Sequence, residues 1–287
     1  MAPLLRNLLL GFAVTAAAAA RAQPLSVTYS PPAQKTPLGS AFVDWDSLSA
    51  RYTPVGLIRA VFDAPTPTLE KFEVHVTTLR PGMASHQPHH HPWEELILVK
   101  DGDLEVSING QRRHAGPGSL VFFASHDLHN STNAGDKPAT YFVINFVTDA
   151  VHNVPDQAAA ARAVPGMLPS SVFDCDSLPA TPTKFGFHCN VVDSPTLTFL
   201  RLESHVTTLN PGEGTTPGNR DPGDELFIVK SGVVEARISN VTCRMAAGSC
   251  FYVAPNDPRT FSNAGATPAT YQVIKVVSER TPLKAGT

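Results

Sequence analysis

His75-Val76-Thr77-Thr78-Leu79 returns 130 residues later as His205-Val206-Thr207-Thr208-Leu209, and that repetition decides the architecture. Val43-Asp44-Trp45-Asp46-Ser47-Leu48 matches Phe173-Asp174-Cys175-Asp176-Ser177-Leu178 at the same offset. So do Asn133-Ala134-Gly135 with Asn263-Ala264-Gly265, and Ala139-Thr140-Tyr141 with Ala269-Thr270-Tyr271. From 73 to 148 roughly two positions in five are identical to their counterparts, without a gap, which identifies a duplicated domain.

Each copy reads as short strands. Glu95-Leu96-Ile97-Leu98-Val99-Lys100 and Gly118-Ser119-Leu120-Val121-Phe122-Phe123 are β-rich runs between turn residues. Asp101-Gly102 and Asn109-Gly110 are tight-turn signals. The 26 prolines and 19 glycines agree with a turn-rich, all-β chain built as sandwiches or closed barrels. We therefore expect barrels over 42–148 and 171–279, joined by a linker over 149–170. The one helical candidate, 155–162, lies in that linker and opens with proline at a tolerated first-turn position.

Residues 1–22 stand apart from the fold. Arg6, an apolar run over 8–20 and Ala20-Arg21-Ala22 have the layout of a secretory signal peptide. The run is short and alanine-rich for a membrane span. Cleavage would leave Gln23 first, a periplasmic or secreted protein and no stable membrane insertion. The formal charge of −3 would become −5 on losing Arg6 and Arg21. With no basic cluster, nucleic acid is an unsuitable partner. Export permits disulfides. Cys175–Cys189 would close a loop of about 15 residues, contributing about 3 kcal/mol, and Cys243 and Cys250 flank a turn and could also pair; four free thiols are the alternative.

The chemistry concentrates in the first copy. On extended backbone, His89 and His91 point to one side. Glu95 opens the next strand, and His129 arrives two hairpin strands later. Three imidazoles and a carboxylate suit one divalent transition metal (Mn, Fe, Co, Ni, Cu or Zn) and exclude an all-oxygen calcium cage. Such a set leaves open positions on a five- or six-coordinate ion.

These spacings carry a family resemblance. Gly82-(x6)-His89-x-His91-(x3)-Glu95-(x6)-Gly102 resembles the first cupin motif, with one extra residue after the leading glycine. Gly118-(x5)-Ala124-x-His126-(x2)-His129-(x3)-Asn133 is similar to the second, with Ala124 and His126 where proline and glycine are usual. The resemblance implies a bicupin: two tandem double-stranded β-helix (jelly-roll) barrels, with a metal inside the first. It also points to a homo-oligomer and offers a menu of dioxygenases, decarboxylases and aminohydrolases, beside storage and sugar-binding proteins.

Other residues sort by parity and by comparison of the copies. His90 should face away from the metal, while Ile97, Val99, Ser131 and one of Phe122 and Phe123 should wall an apolar cavity for a small chelating organic ligand. His126, near the barrel mouth, is read either as a catalytic proton carrier or as a turn residue. Glu94 and Asp127 are further proton-carrier candidates. His86, within a candidate lid over 82–88, reads as a surface histidine, with a place beside the metal ligands or at the entrance as the alternative. In the second copy Asn219, Asp221 and Arg259 replace the three histidines, leaving Glu225 alone. That copy is expected to be metal-free, either an anion site at Arg259 or a scaffold, with scaffold favoured. Glu73, His75 and Asn133 persist there as Glu203, His205 and Asn263, so they read as structural.

Overall fold

Leu96-Ile97-Leu98-Val99, in the strand Glu94–Asp101, is buried on both faces. A strand with that pattern must lie between two apolar layers, and its two faces serve two different cores here. Ile97 and Val99 join Val121, Phe123, Tyr141 and Val143 inside the first barrel. Leu96 and Leu98 face the other way, into a core shared with Leu226, Ile228, Tyr252 and Ile274 of the second repeat. A third core fills the second barrel around Phe227, Phe251, Phe261 and Tyr271.

The structure, a computed structural model, describes residues 25–26, 36–155 and 164–282. The 1–22 segment, and all but Pro155 of the expected linker helix, lie outside them; the only helical turns described are Trp45–Ser47 and Asp149–His152, both 3-10. The chain is all-β, with two jelly-roll barrels in tandem. In the first, a seven-stranded sheet runs Ser171–Phe173, Leu120–Phe123, Glu94–Asp101, Ala139–Val147, Lys71–Leu79, Gly56–Ala64, Arg51–Thr53. A five-stranded sheet closes it: Leu25–Ser26, His89–His90, His129–Asn133, Leu104–Ile108, Gln111–Ala115. Seven- and three-stranded sheets form the second barrel.

The short strand opening each repeat crosses to the other barrel. Ala41–Val43 pairs antiparallel with Cys250–Val253, and Ser171–Phe173 pairs with Leu120–Phe123. Matching serines lock both crossings. Ser40 Oγ donates to Asp257 Oδ2 at 2.6 Å and accepts from Ala254 N at 2.9 Å; Ser170 Oγ likewise donates to Asp127 and accepts from Ala124 N. Asp127 is thereby committed to the crossing.

Buried carboxyls also join the barrels. Glu94, fully enclosed, accepts from the hydroxyls of Thr196 and Thr198 and from Leu197 N–H across the interface. Asp224, its counterpart, accepts from Thr68 and Tyr252. The expectation of Glu94 as a proton carrier beside the metal is thus corrected: adjacent strand residues face opposite sides, so with Glu95 inward Glu94 faces the other barrel. Asn133 Nδ2 donates to Leu79 O and Lys137 O, and Asn263 repeats the arrangement with Leu209 O and Thr267 O. These asparagines are structural, as their persistence implies.

All four cysteines are free. Cys250 packs in the core between barrels whereas Cys243 packs against the core inside the second barrel, so their side chains occupy opposite faces. Cys175 and Cys189 Sγ atoms each turn to a backbone carbonyl, of Phe173 and Asn190, and the expected bridges are not formed.

Two outcomes follow for the interface. Glu94→Leu strands three donors in an apolar layer and should cost about 2–4 kcal/mol in urea unfolding, with Glu94→Gln nearer neutral. Burial raises the Asp224 carboxyl above its ordinary value, with the Thr68 and Tyr252 hydrogen bonds opposing. The folded state therefore holds that proton more tightly than the unfolded chain. Its stabilisation is complete below the ordinary aspartate value and is lost as pH rises through the raised one. Asp224→Asn should remove that part of the slope in stability measured against pH.

Candidate metal centre

Histidine spacing becomes geometry through one strand pairing. His89 lies opposite His129 in antiparallel register, and the chain turns after His91 so that Glu94–Asp101 begins beside them. The imidazole ligand atoms of His89, His91 and His129 all lie within 4.8 Å of one another. Glu95 Oε2 is 3.6 Å from His91 Nε2, and Oε1 is 3.8 Å from His129 Nε2. Donors about 2.1 Å from a shared first-row cation stand about 3–4 Å apart; the two Glu95 separations lie in that range, and the 4.8 Å bound on the three histidines is wider.

Hydrogen bonds select the tautomers. His91 Nδ1 lies 2.8 Å from Trp93 O, and His129 Nδ1 lies 2.8 Å from Asp127 O. A carbonyl only accepts, so both Nδ1 atoms carry hydrogen and both Nε2 atoms present lone pairs. Those Nε2 atoms are buried and have no hydrogen-bond partner among the described residues, as is His89 Nδ1. Burial, with the neighbouring histidines, pushes His89 down to about 4 and His129 down to about 3. Burial alone would raise Glu95, but the close approach of His91 and the other imidazoles outweighs it, bringing Glu95 to about 2. At neutral pH His89 and His129 are therefore neutral and Glu95 is ionised, the state that metal binding requires.

A supporting shell surrounds these side chains. The Trp93 ring stacks on His91 at 4.1 Å, and Phe123 stacks on His129 at 4.3 Å. Trp93 Nε1 donates to Asn145 Oδ1 at 3.0 Å, and Asn145 Nδ2 donates to Glu73 Oε2 at 2.7 Å. Glu73 Oε1 holds His75 Nδ1 at 2.7 Å. Burial lowers His75, but the Glu73 hydrogen bond and the charges of Glu73 and Glu95 leave it above its ordinary value. Sequence comparison placed Glu73 and His75 among structural residues and passed over Trp93 and Asn145. The signal lay in the second copy, where Gly223 and Lys275 stand in their places.

Two expectations change. His126 is not brought to the three histidines: it sits at a left-handed turn (φ 63°), its N–H bonded to His91 O, lining an outer groove with Asp127 and Ser170. Its ring is 5.9 Å from His90, the histidine whose parity turns it away. The candidate lid is anchored. Gly82 N–H donates to Asn133 O, and Ser85 N–H to Ser131 O, sealing its first half to the His129–Asn133 strand. His86, exposed as expected, sets its ring edge-on to His89 at 4.0 Å.

In the second barrel the equivalent register pairs Asn219 with Arg259. Arg259 Nη2 reaches Glu225 Oε1 at 2.5 Å, a buried ion pair where the first barrel gathers its imidazoles.

The cupin domain family matches residues 75–145 and 205–276, once in each repeat. The chain belongs to the cupin superfamily, as a two-domain bicupin. No curated protein sequence matches it. Solved structures that are similar include AerE from Microcystis aeruginosa, 14% identical, covering 83% of this chain and 99% of AerE at a TM-score of 0.61. A mutant of Bacillus subtilis oxalate decarboxylase OxdC is 15% identical, covering 85% and 79% at 0.62. Lactobacillus farciminis oxalate decarboxylase, in complex with formate, is 12% identical, covering 88% and 90% at 0.63. Identities this low speak for the fold.

The site separates its residues by experiment. Elemental analysis of purified protein should find one divalent metal per chain in the wild type and in His126→Ala. His91→Ala should lose most of it, since three remaining donors include one half-exposed histidine.

Proposed function

We propose that this protein is an exported metalloenzyme whose first barrel oxidises or cleaves a small, chelating organic substrate in a dioxygenase-like reaction. The observation that carries the reading is the pair of buried Nε2 atoms, on His91 and His129, held as lone-pair donors against an ionised Glu95. Neutral imidazoles and one carboxylate hold a divalent cation while leaving positions for a substrate. When bound, that cation would polarise a chelated oxygen or, if redox-active, bring dioxygen beside it.

The chain's own residues supply the rest. Ile97, Val99, Phe123, Tyr141 and Val143 pack as an apolar core in this barrel, and a substrate seated against them would carry a ring or alkenyl body rather than a high charge. Proton handling falls to His75, whose Nδ1 is tied to Glu73 and which feels the charge of Glu95. This replaces the role first considered for His126, Glu94 and Asp127. The substrate partner is a small molecule, with no nucleic acid; residues 1–22 would direct the chain to the periplasm or outside, and the mature chain would assemble as a homo-oligomer.

Decarboxylation is a second reading, favoured by the oxalate decarboxylases among similar structures, one of which is described as having Mn(II) centres. One experiment separates the two. The metal-loaded protein is incubated with catechols, flavonols, 2-keto acids and oxalate while oxygen uptake and carbon dioxide release are followed together. Oxygen uptake matched to product formation is the expected result, with kcat falling about a hundredfold in His75→Ala at full metal content. Carbon dioxide release without net oxygen uptake would select decarboxylation. Silence on every substrate would end the enzymatic reading.

A further inference from the structure

The second barrel contains a cavity of about 290 Å3 that the metal reading leaves unused. Its walls are aromatic and aliphatic, with Phe227, Phe261, Tyr271 and Val273, and the exposed Thr183 and Asn219 open it to solvent. The Arg259 side chain, only 8% exposed, lies on this lining. One arm of its guanidinium, Nη2, is bonded to Glu225. The other, Nη1, is buried and has no hydrogen-bond partner among the described residues. A buried donor without an acceptor is destabilising, more so when charged, so an occupant that brings an acceptor to Nη1 is favoured.

The charges around the cavity decide which acceptor. Arg259 and Lys275 contribute two positive charges, and Glu203, Asp221 and Glu225 contribute carboxyls. Lys275 is already held by Glu203 at 2.6 Å and Asp221 at 3.1 Å. These five groups sum to zero if Glu225 holds a proton and to −1 if it does not; His188 and His205 also lie on the lining, His205 at 3.6 Å from Glu203. An anion would enter against two or three carboxylates. A neutral carbonyl oxygen meets Nη1 without that repulsion, and a planar body beyond it fits among the aromatic rings.

We infer that the second barrel is a binding site for a small uncharged carbonyl compound (an amide, ketone or lactone on an unsaturated ring), with Arg259 Nη1 donating to its oxygen. The barrel is then more than the scaffold expected from its missing histidines. It exchanges a metal site for an organic one, and the carboxylates of Glu203 and Asp221 disfavour the anion that was the alternative to a scaffold at Arg259. The site is independent of the metal centre, so either reading can fail alone.

Benzamide and benzoate form the test pair, being nearly isosteric and differing in charge. Each is titrated into the full chain while nitrogen-15 NMR follows the arginine side-chain signals. Benzamide is expected to saturate and to shift the Arg259 signal, with benzoate at least tenfold weaker. The Glu225→Gln/Arg259→Met double variant removes both charges and leaves no unpaired ion; it should bind benzamide at least tenfold more weakly, the loss of one charged hydrogen bond. The wild-type Arg259 shift reports independently of how well that variant folds. His91→Ala should bind benzamide unchanged. The inference is overturned if benzamide does not bind, if benzoate binds as tightly, if the double variant binds as well as the wild type, or if His91→Ala abolishes binding and so places benzamide in the first barrel.

Discussion

A carboxylate buried at the head of a barrel strand is the constraint from which both halves of this protein follow. Glu95 and Glu225 occupy equivalent positions, each nearly enclosed by an apolar interior. Placing an ionised carboxylate there costs several kcal/mol unless a positive charge lies beside it. The second barrel sets the Arg259 guanidinium beside its carboxyl at 2.5 Å, and burial still pushes Glu225 up to about 8 against that charge. The first surrounds Glu95 with imidazoles that burial itself holds neutral near pH 7, His89 at about 4 and His129 at about 3. Neutral rings can orient Glu95 and share a cation with it, but they cannot balance its charge. The donor set calls for a metal on electrostatic grounds as well as by spacing.

Much of this was legible in the chain because the repeat is gapless. An offset of 130 fixed the duplication, and strand parity assigned Ile97 and Val99 to the barrel interior, where they lie. The same parity should have turned Glu94 outward, since it precedes an inward Glu95; a list of acids near the motif obscured the point. The strand exchange was not legible. Ala41–Val43 and Ser171–Phe173 have three residues each, too few for local pattern to choose a partner, and their pairing depends on tertiary contacts such as Ser40 with Asp257. Of the two readings of His126 the turn is the one seen: its motif position is a left-handed turn, and a turn aims its side chain by backbone geometry rather than by alternation.

The exchanged strands and the interface carboxyls bear on function through rigidity. Phe72 stacks on Phe146 at 5.0 Å and meets Tyr252 of the other barrel at 5.1 Å, within a single apolar layer. Glu94 in that layer immediately precedes Glu95, so one backbone segment anchors both the interface and the metal centre. Side chains on such a braced strand lose little further entropy on binding, which is what preorganised ligation requires.

The differences between the barrels form a linked set. His129 and Arg259, His91 and Asp221, Trp93 and Gly223, and Asn145 and Lys275 occupy equivalent positions. Lys275 reaches both Asp221 and Glu203, spanning ground that Trp93 and Asn145 fill in the first barrel. Aspartate at 91, introduced alone, would lack the lysine that holds its counterpart. Arginine at 129 would set a fixed cation among metal ligands, and lysine at 145 would lack the aspartate that holds its counterpart. The two interiors are alternative, self-consistent solutions to one electrostatic problem, reached on the same backbone. In the second barrel that solution leaves a carboxylate, a cavity and a guanidinium donor without a partner where the first has imidazoles.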